Sequence, residues 1–134
     1  MRIYCCGCEE YVDARLTCGK EIYPHRVDLY DLPFWKCDTC GNYIGCHHKT
    51  TDRTKPLGVI PTDELRRARH DIHKLMDPIW RGGEIKRADL YKMISDEFGF
   101  RYHTAKIKSI EDARKIYKFI ENIRETINGK NCGR

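Results

Sequence analysis

Two pairs of cysteines constrain the fold of this chain more than any other feature of its sequence. Cys5 and Cys8 are separated by two residues, as are Cys37 and Cys40, and 28 residues lie between the pairs. A two-residue gap lets both sulfurs of a pair converge on one metal ion from a tight turn, called a knuckle, and two knuckles complete a tetrahedron. The spacing therefore predicts one zinc ion held by these four cysteines.

A site with four cysteine ligands leaves no coordination position for water, so the predicted zinc is structural rather than catalytic. Its role would be to stabilise a module whose core is too small to be stable alone. Function must then be carried by other surfaces of the protein.

Four cysteines remain outside this site: Cys6, Cys18, Cys46 and Cys132. Using Cys6 as a ligand would leave a one-residue gap, so Cys5 and Cys8 are preferred. Cys46 and His47 offer an alternative ligand or a second half-site, but no second cysteine pair accompanies them. A small buried side chain is the preferred interpretation of Cys46.

Composition argues against a membrane or secreted protein. The charged fraction is 34%, mean hydropathy is −0.69, and no apolar run approaches the ~20 residues that span a bilayer. Residues 1–5 lack the apolar segment of a secretory signal. We therefore expect a cytoplasmic location, where thiols stay reduced and clustered cysteines indicate metal rather than disulfides.

A change in composition divides the chain into two parts. Seven of the eight cysteines precede residue 47, and the amphipathic helical patterns follow residue 60. Residues 1–55 carry 8 Lys and Arg against 8 Asp and Glu, whereas residues 56–134 carry 17 against 12. We predict an α+β protein with a zinc-ribbon-like β module over residues 1–55, a helical unit with one short strand over 56–128, and a frayed tail over 129–134.

In the first part, the sequence predicts short strands. Residues 11–17 alternate as a strand, Gly19 signals a turn, and residues 21–23 are predicted as the hairpin partner. Residues 32–35 lead into the second cysteine pair, and residues 43–45 lead out of it.

In the second part, the first predicted helix begins after the N-cap Thr62 and ends or kinks at Pro78. A second helix covers residues 86–98 and ends at Gly99. Residues 101–108 are predicted as the strand, and a last helix follows Ser109, with an acidic first turn, and stops at Asn128 and Gly129. Predicted core positions of these last two helices are Ala88, Tyr91, Ile94, Phe98, Ile110, Ala113, Ile116, Tyr117, Ile120, Ile123 and Ile127.

Several motifs in roughly residues 5–107 occur together in one known family. They are Ile22-Tyr23-Pro24, Leu29-Tyr30-Asp31, Phe34 to Cys40, Tyr43 to His47, Pro56-Leu57-Gly58, Glu64 to Arg69, His73, Asp77-Pro78, Trp80 and Tyr91. In this combination the chain resembles zinc-finger-containing proteins of unknown function, found largely in phages and prophages. The resemblance implies a zinc-ribbon-like module and a phage origin, hence the cytoplasm of a host cell, and no established activity.

The chain departs from the pattern of that family at three places. Cys6 stands where proline is usual, and Glu9 stands where glycine is usual. Tyr102 and His103 stand where a Cys-His pair is usual, so no role is carried over to that position.

One polar stripe on the helix over residues 62–77 is the candidate partner-binding surface. At about 100° per residue, the stripe beside the apolar face contains Arg66, Arg69, His70, His73 and Asp77. The residues that point to solvent are Arg67, Asp71 and Lys74. We therefore expect Arg66 and Arg69 to matter more for partner binding than Lys74.

Three interpretations compete for this stripe. In the first, the arginine stems cover apolar surface and Asp77 pairs with His73 one turn away. In the second, the stripe joins basic residues of the next helix as a phosphate-binding surface. In the third, His47, His73 and Asp77 converge as a metal or acid–base site.

The sequence as a whole predicts a non-catalytic, zinc-stabilised binding protein with nucleic acid as its leading partner. Aromatic and basic residues that interleave near the zinc module support this partner: Tyr23, Arg26, Tyr30, Phe34, Trp35 and Lys36. The alternative is a phage protein that inhibits or redirects a host protein, such as a defence or transcription component. A metal-dependent nuclease comes third.

Overall fold

The computed structural model describes residues 1–131, and the chain divides into two compact units, Met1–Glu64 and Leu65–Arg134. Short antiparallel strands and the four cysteines lie in the first unit, and helices follow in the second. This arrangement confirms the predicted α+β class with a zinc-ribbon-like module. None of the described helices is long and apolar enough to cross a membrane.

The first unit contains five strands in two antiparallel sheets. Strand β1 (Arg2–Cys5) pairs with β2 (Glu10–Asp13), and β3 (Arg15–Cys18), β4 (Pro33–Lys36) and β5 (Tyr43–Gly45) form the second sheet in that order. Each cysteine pair lies where the chain turns between neighbouring strands, the first between β1 and β2 and the second between β4 and β5. Both knuckles are therefore hairpin loops.

The predicted hairpin between residues 11–17 and 21–23 is wrong. Ala14 divides the predicted strand, so β2 pairs with β1 while β3 pairs with β4 in the other sheet. Residues Gly19–Ile22 form a short helix, α1, and a 3-10 helix follows at Val27–Leu29. Local alternation reports which residues are extended, but the partner of each strand depends on distant segments.

Close packing explains why Gly19 begins a helix here instead of marking a hairpin turn. A Cβ atom at this position would lie 1.7 Å from the backbone oxygen of Leu29. The N–H of Gly19 donates to the carbonyl of Leu32 at 3.0 Å. The backbone of α1 is thus held directly against the segment that leads into β4.

The core of the first unit is small and includes two of the cysteine ligands. Its buried members are Ile3, Cys5, Ala14, Cys37, Ile44 and Ile60, with Cys8, Val12 and Trp35 packed against them. Main-chain hydrogen bonds fix Ile60 beside β1, because its N–H donates to Tyr4 at 2.9 Å and its carbonyl accepts from Cys6 at 2.8 Å. The candidate metal site is therefore continuous with the core.

The second unit is built on helices α2 (Asp63–Arg81, which begins two residues before the unit), α3 (Arg87–Phe98) and α4 (Ile110–Asn131), with a 3-10 helix at Thr104–Lys106. Its core combines buried residues of all three long helices and of the segment before α4: Leu65, Ile72, Leu75, Met76, Ile79, Leu90, Ile94, Tyr102, Ile107, Ala113, Ile116 and Ile120. Two predicted helix ends are confirmed, the C-terminal end of α3 and the N-terminal end of α4. Gly99 caps α3 with φ 75°, and the Ser109 hydroxyl accepts from the N–H of Asp112 at 3.1 Å.

Pro78 does not end α2, which continues to Arg81. Proline removes one helical hydrogen bond, but its own carbonyl still accepts from Gly82 at 3.1 Å. Ile79, the next residue, is only 4% exposed, so burial of the last turn offsets the missing bond. The helix ends before Gly83, which has φ 77°.

Three further predictions for the second part are wrong. Residues 101–108 form no strand but contain the 3-10 helix, and α4 runs past Asn128 to Asn131. The fully buried residues of α3 are Leu90 and Ile94, whereas Ala88, a predicted core residue, is exposed. The apolar face of this short helix is therefore rotated from the predicted one. Residues 132–134 of the predicted tail lie outside the described residues.

Candidate metal centre

The structure brings together the sulfur atoms of the four predicted ligands. The Sγ atoms of Cys5, Cys8, Cys37 and Cys40 all lie within 4.8 Å of one another. Two pairs are closer, with Cys5 to Cys40 at 3.4 Å and Cys8 to Cys37 at 3.7 Å. A tetrahedron with metal–sulfur bonds of about 2.3 Å has edges of about 3.8 Å, so the cluster has the dimensions for one ion.

Hairpin geometry places the sulfurs and also polarises them. Backbone N–H groups of Gly7 and Cys8 hydrogen-bond to the sulfur of Cys5, and those of Thr39 and Cys40 hydrogen-bond to the sulfur of Cys37. The two knuckles thus repeat one arrangement, in which backbone dipoles stabilise negative charge on the first cysteine of each pair.

Burial and contacts between the sulfurs shift the pKa values of three of these thiols in different directions. Burial raises the pKa of Cys5 to about 11, and a hydrogen bond to the Cys37 sulfur, together with burial, raises the pKa of Cys8 to about 12. Burial also acts to raise the pKa of Cys37, but hydrogen bonds from backbone amides and neighbouring thiols lower it to about 7. A metal ligand must be a thiolate, so binding of an ion here releases protons.

The two knuckles touch at Gly7. A Cβ atom on this residue would lie 2.6 Å from the side-chain nitrogen of Asn42 and 3.3 Å from the sulfur of Cys40. Asn42 in turn closes the second knuckle, because its carbonyl accepts from the N–H of Cys37 at 2.8 Å. A side chain at position 7 would therefore require Asn42 and the Cys40 sulfur to shift.

An ion-pair network braces the second knuckle from outside. The guanidinium of Arg15 donates to both carboxylate oxygens of Asp38, at 2.8 and 2.9 Å, and to Glu21. Lys36 donates to Glu21 at 3.0 Å. Hydrogen bonding to Arg15 lowers the pKa of both carboxyl groups. Helix α1 therefore contributes to the stability of the second knuckle, because it positions Glu21 in this network.

The remaining described cysteines lie outside the cluster. Cys46 is 3% exposed and pairs with Pro56 in an isolated β-bridge. Burial, and secondarily the charge of Asp52, raise the pKa of its thiol. Cys6 and Cys18 also contribute no ligand, and in residues 1–131 the four-cysteine cluster is the only group of three or more potential ligands. Cys132 falls outside the described residues.

Arg69 has an internal position in place of the predicted contact with a partner. Its side chain is 6% exposed, and it donates to the carbonyl of Ile107 at 2.6 Å. It therefore holds the segment before α4 against α2 and is not part of the surface. Of the other residues predicted for the stripe, Arg66 is half-buried and His70 is exposed.

His73 and Asp77 lie one turn apart on α2, as predicted, and Asp77 forms an ion pair with Arg81 at 3.9 Å. Burial, and next the charge of Arg87, lower the pKa of His73, while Asp77 acts to raise it. The imidazole is therefore neutral at neutral pH. His47 belongs to the first unit, where its main-chain N–H donates to the main-chain carbonyl of Lys55 at 2.8 Å.

Sequence reasoning missed an aromatic and basic cluster in the second unit. The Arg87 guanidinium carbon lies 5.3 Å from the ring centre of Trp80 and 5.4 Å from that of Tyr91, and the two rings meet edge to face at 6.5 Å. The signal was present, because Arg87 and Tyr91 are four residues apart on one helix face.

The chain belongs to a family of zinc-finger-containing domains, which it matches over residues 1–126. The match spans both units, so the helical part is a regular component of the family and not an unrelated addition. No curated protein and no solved structure matches the chain.

The residue after each cysteine pair has a left-handed backbone, with φ 56° at Glu9 and φ 81° at Gly41. Such a φ costs a side-chain-bearing residue roughly 1–2 kcal/mol and costs glycine almost nothing. We predict that Glu9→Gly raises the free energy of unfolding by about 0.5–1 kcal/mol, after allowance for the greater flexibility of glycine in the unfolded chain.

The matched control for this substitution is Gly41→Ala, in which a Cβ atom would meet nothing within 4 Å. It should destabilise the metal-loaded protein by about 1 kcal/mol through backbone strain alone. Urea unfolding of both variants measures the two effects. A loss of stability in Glu9→Gly would show that the left-handed turn is not a source of strain.

We predict that Arg69→Met lowers the free energy of unfolding of the second unit by about 2 kcal/mol, because it leaves the buried carbonyl of Ile107 without this donor. Arg67→Met, on the exposed side of the same helix, should change it by less than about 0.5 kcal/mol. Denaturant unfolding compares the two variants. Equal stabilities would contradict the internal role of Arg69.

Proposed function

We propose that this protein is a zinc-stabilised binding protein that contacts nucleic acid through its second unit. Zinc is favoured because four thiolates at tetrahedral separations suit its coordination preference, and because the family is one of zinc-finger-containing domains. When bound, the ion supplies a cross-link between the two knuckles. With all four positions held by sulfur, the chain presents no site at which that ion activates water.

The observation that carries this proposal is the division of charge between the two units. Residues 1–64 contain 8 Lys and Arg against 10 Asp and Glu, a net of −2, and four thiolates on a divalent ion add two more negative charges. Residues 65–134 contain 17 Lys and Arg against 10 Asp and Glu, a net of +7. A polyanion is therefore attracted to the second unit and repelled by the first.

Much of this positive charge is available at the surface. Within residues 65–127, exposed cations without an ion pair to a carboxylate include Arg67, Lys74, Lys86, Arg101, Lys106, Arg114 and Arg124. When a cation without an intramolecular partner binds a phosphate, it releases the counterions of that phosphate, and no ion pair within the protein has to be broken. This favours phosphate contacts over a merely solvated helical surface.

The cluster of Trp80, Arg87 and Tyr91 adds stacking groups to the same unit. Trp80 and Tyr91 are half-buried, so each ring has a supported side and an accessible part. Rings of this kind stack on bases of a single strand, and an arginine beside them adds a cation–π contribution. The cluster supports single-stranded nucleic acid as the preferred form.

The alternative proposal is that the protein is phage-encoded and inhibits or redirects a host protein. Exposed apolar side chains of the first unit favour it, among them Val27 at 75% and Tyr11 at 57% exposed. A partner that contacts these residues would bind with little dependence on salt. The dependence of binding on salt therefore separates the two proposals.

We predict that the full, zinc-loaded chain binds a labelled single-stranded oligonucleotide, and that its affinity falls about tenfold or more between 50 and 200 mM salt. Fluorescence anisotropy measures the affinity at each salt concentration. The same mixtures with magnesium and then manganese should contain no cleaved strand, since the sulfur-ligated site activates no water. Absence of binding at 50 mM salt would contradict the proposal, and so would turnover abolished by both His73→Ala and Asp77→Ala.

A further inference from the structure

An open groove of about 260 Å³ lies between helices α2 and α4 of the second unit. Its lining residues are Asp71, Lys74, Leu75, Tyr117 and Arg124. Leu75 is 7% exposed and forms an apolar floor, and Tyr117 is 37% exposed on one wall. The groove therefore combines a buried apolar base with an accessible ring and charged side chains.

The two cations of the groove are unpaired within the part of the chain that the structure describes. Among the described residues, neither Lys74 nor Arg124 has an ion pair or a side-chain hydrogen bond, and the hydroxyl of Tyr117 also has no hydrogen bond. Elsewhere in the same unit, by contrast, Lys92, Lys115 and Lys118 each pair with a carboxylate of their own helix. The groove is thus a place where basic side chains are left for an external anion.

Helix geometry makes these side chains converge. Lys74 is one turn from Asp71 on α2, and Arg124 is seven residues from Tyr117 on α4, which is within about 20° of two full turns. Each helix therefore presents one cation to the shared groove. A lysine supplies a compact charge and an arginine supplies a planar fork of donors, a combination that suits the oxygens of a phosphate.

We propose that this groove binds one phosphate group of a nucleic-acid strand, held between Lys74 and Arg124. The sugar or base attached to that phosphate lies against Tyr117 and Leu75. This inference rests on the proposed function, and it locates a specific contact within it. Asp71 is a negative charge in the same groove, so it weakens the binding of a phosphate. Its removal should therefore strengthen binding.

The test uses the full chain with four single substitutions and the labelled single strand. Lys74→Gln and Arg124→Gln should each weaken binding about 3- to 10-fold and lower the salt slope by about 0.7, the value for one phosphate contact with a single strand. Asp71→Asn should instead strengthen binding about 2- to 3-fold, because it removes the opposing charge.

Lys115→Gln is the matched control, since it removes the same charge from the same helix as Arg124. Lys115 and Arg124 are nine positions apart in the sequence, which places them on opposite sides of α4 at about 100° per residue. Its effect on affinity should stay within about twofold. All four positions are exposed, and thermal unfolding of each variant verifies that folding is retained.

A second measurement needs no nucleic acid. Addition of inorganic phosphate should shift the NMR signals of the Tyr117 ring and the Arg124 side chain in the wild-type chain, and the Arg124 shift should shrink in Lys74→Gln. Equal losses for Lys74→Gln, Arg124→Gln and Lys115→Gln, with binding retained by the wild type, would overturn the groove and leave the proposed function standing. A wild-type chain that binds no strand at all would overturn both, even if phosphate alone shifts the signals.

Discussion

The first unit depends on the convergence of four cysteine sulfurs within 4.8 Å. Its strands are three or four residues long, and hairpins of this length are at best marginally stable in water. Each knuckle closes one hairpin, and the shared site fastens the two-stranded sheet to the three-stranded one. Since Cys5 and Cys37 are also core residues, the metal site and the apolar core are one structure.

This constraint explains which parts of the fold could be predicted from the sequence. The four ligands could, because the two-residue gaps are a local signal with a strict geometric meaning. The pairing of the strand before Gly19 could not be predicted, because β3 pairs with β4, whose position is set by the second knuckle. The close packing of Gly19 on Leu29 also cannot be read from the residues around Gly19. The predicted helix end at Pro78 and the predicted surface position of Arg69 differ from the structure for a related reason. At each position, burial in the second unit outweighs the local sequence pattern.

The proposed roles of the two units follow from the same site. A cluster of four thiolates adds negative charge to a unit that is already acidic, and it occupies every position on the ion. Our proposal therefore assigns binding to the second unit, which carries the basic surface, the cluster around Arg87 and the groove between α2 and α4. The sequence showed the basic excess, but the pairing of cations from two helices required the structure.

The most direct test of this account is X-ray absorption at the zinc edge of the chain purified without added metal, combined with its zinc content. We predict about one zinc per chain, surrounded by four sulfur atoms at about 2.3 Å and by no nitrogen or oxygen ligand. A folded first unit without zinc, or a first shell that contains a histidine nitrogen in place of one sulfur, would contradict it.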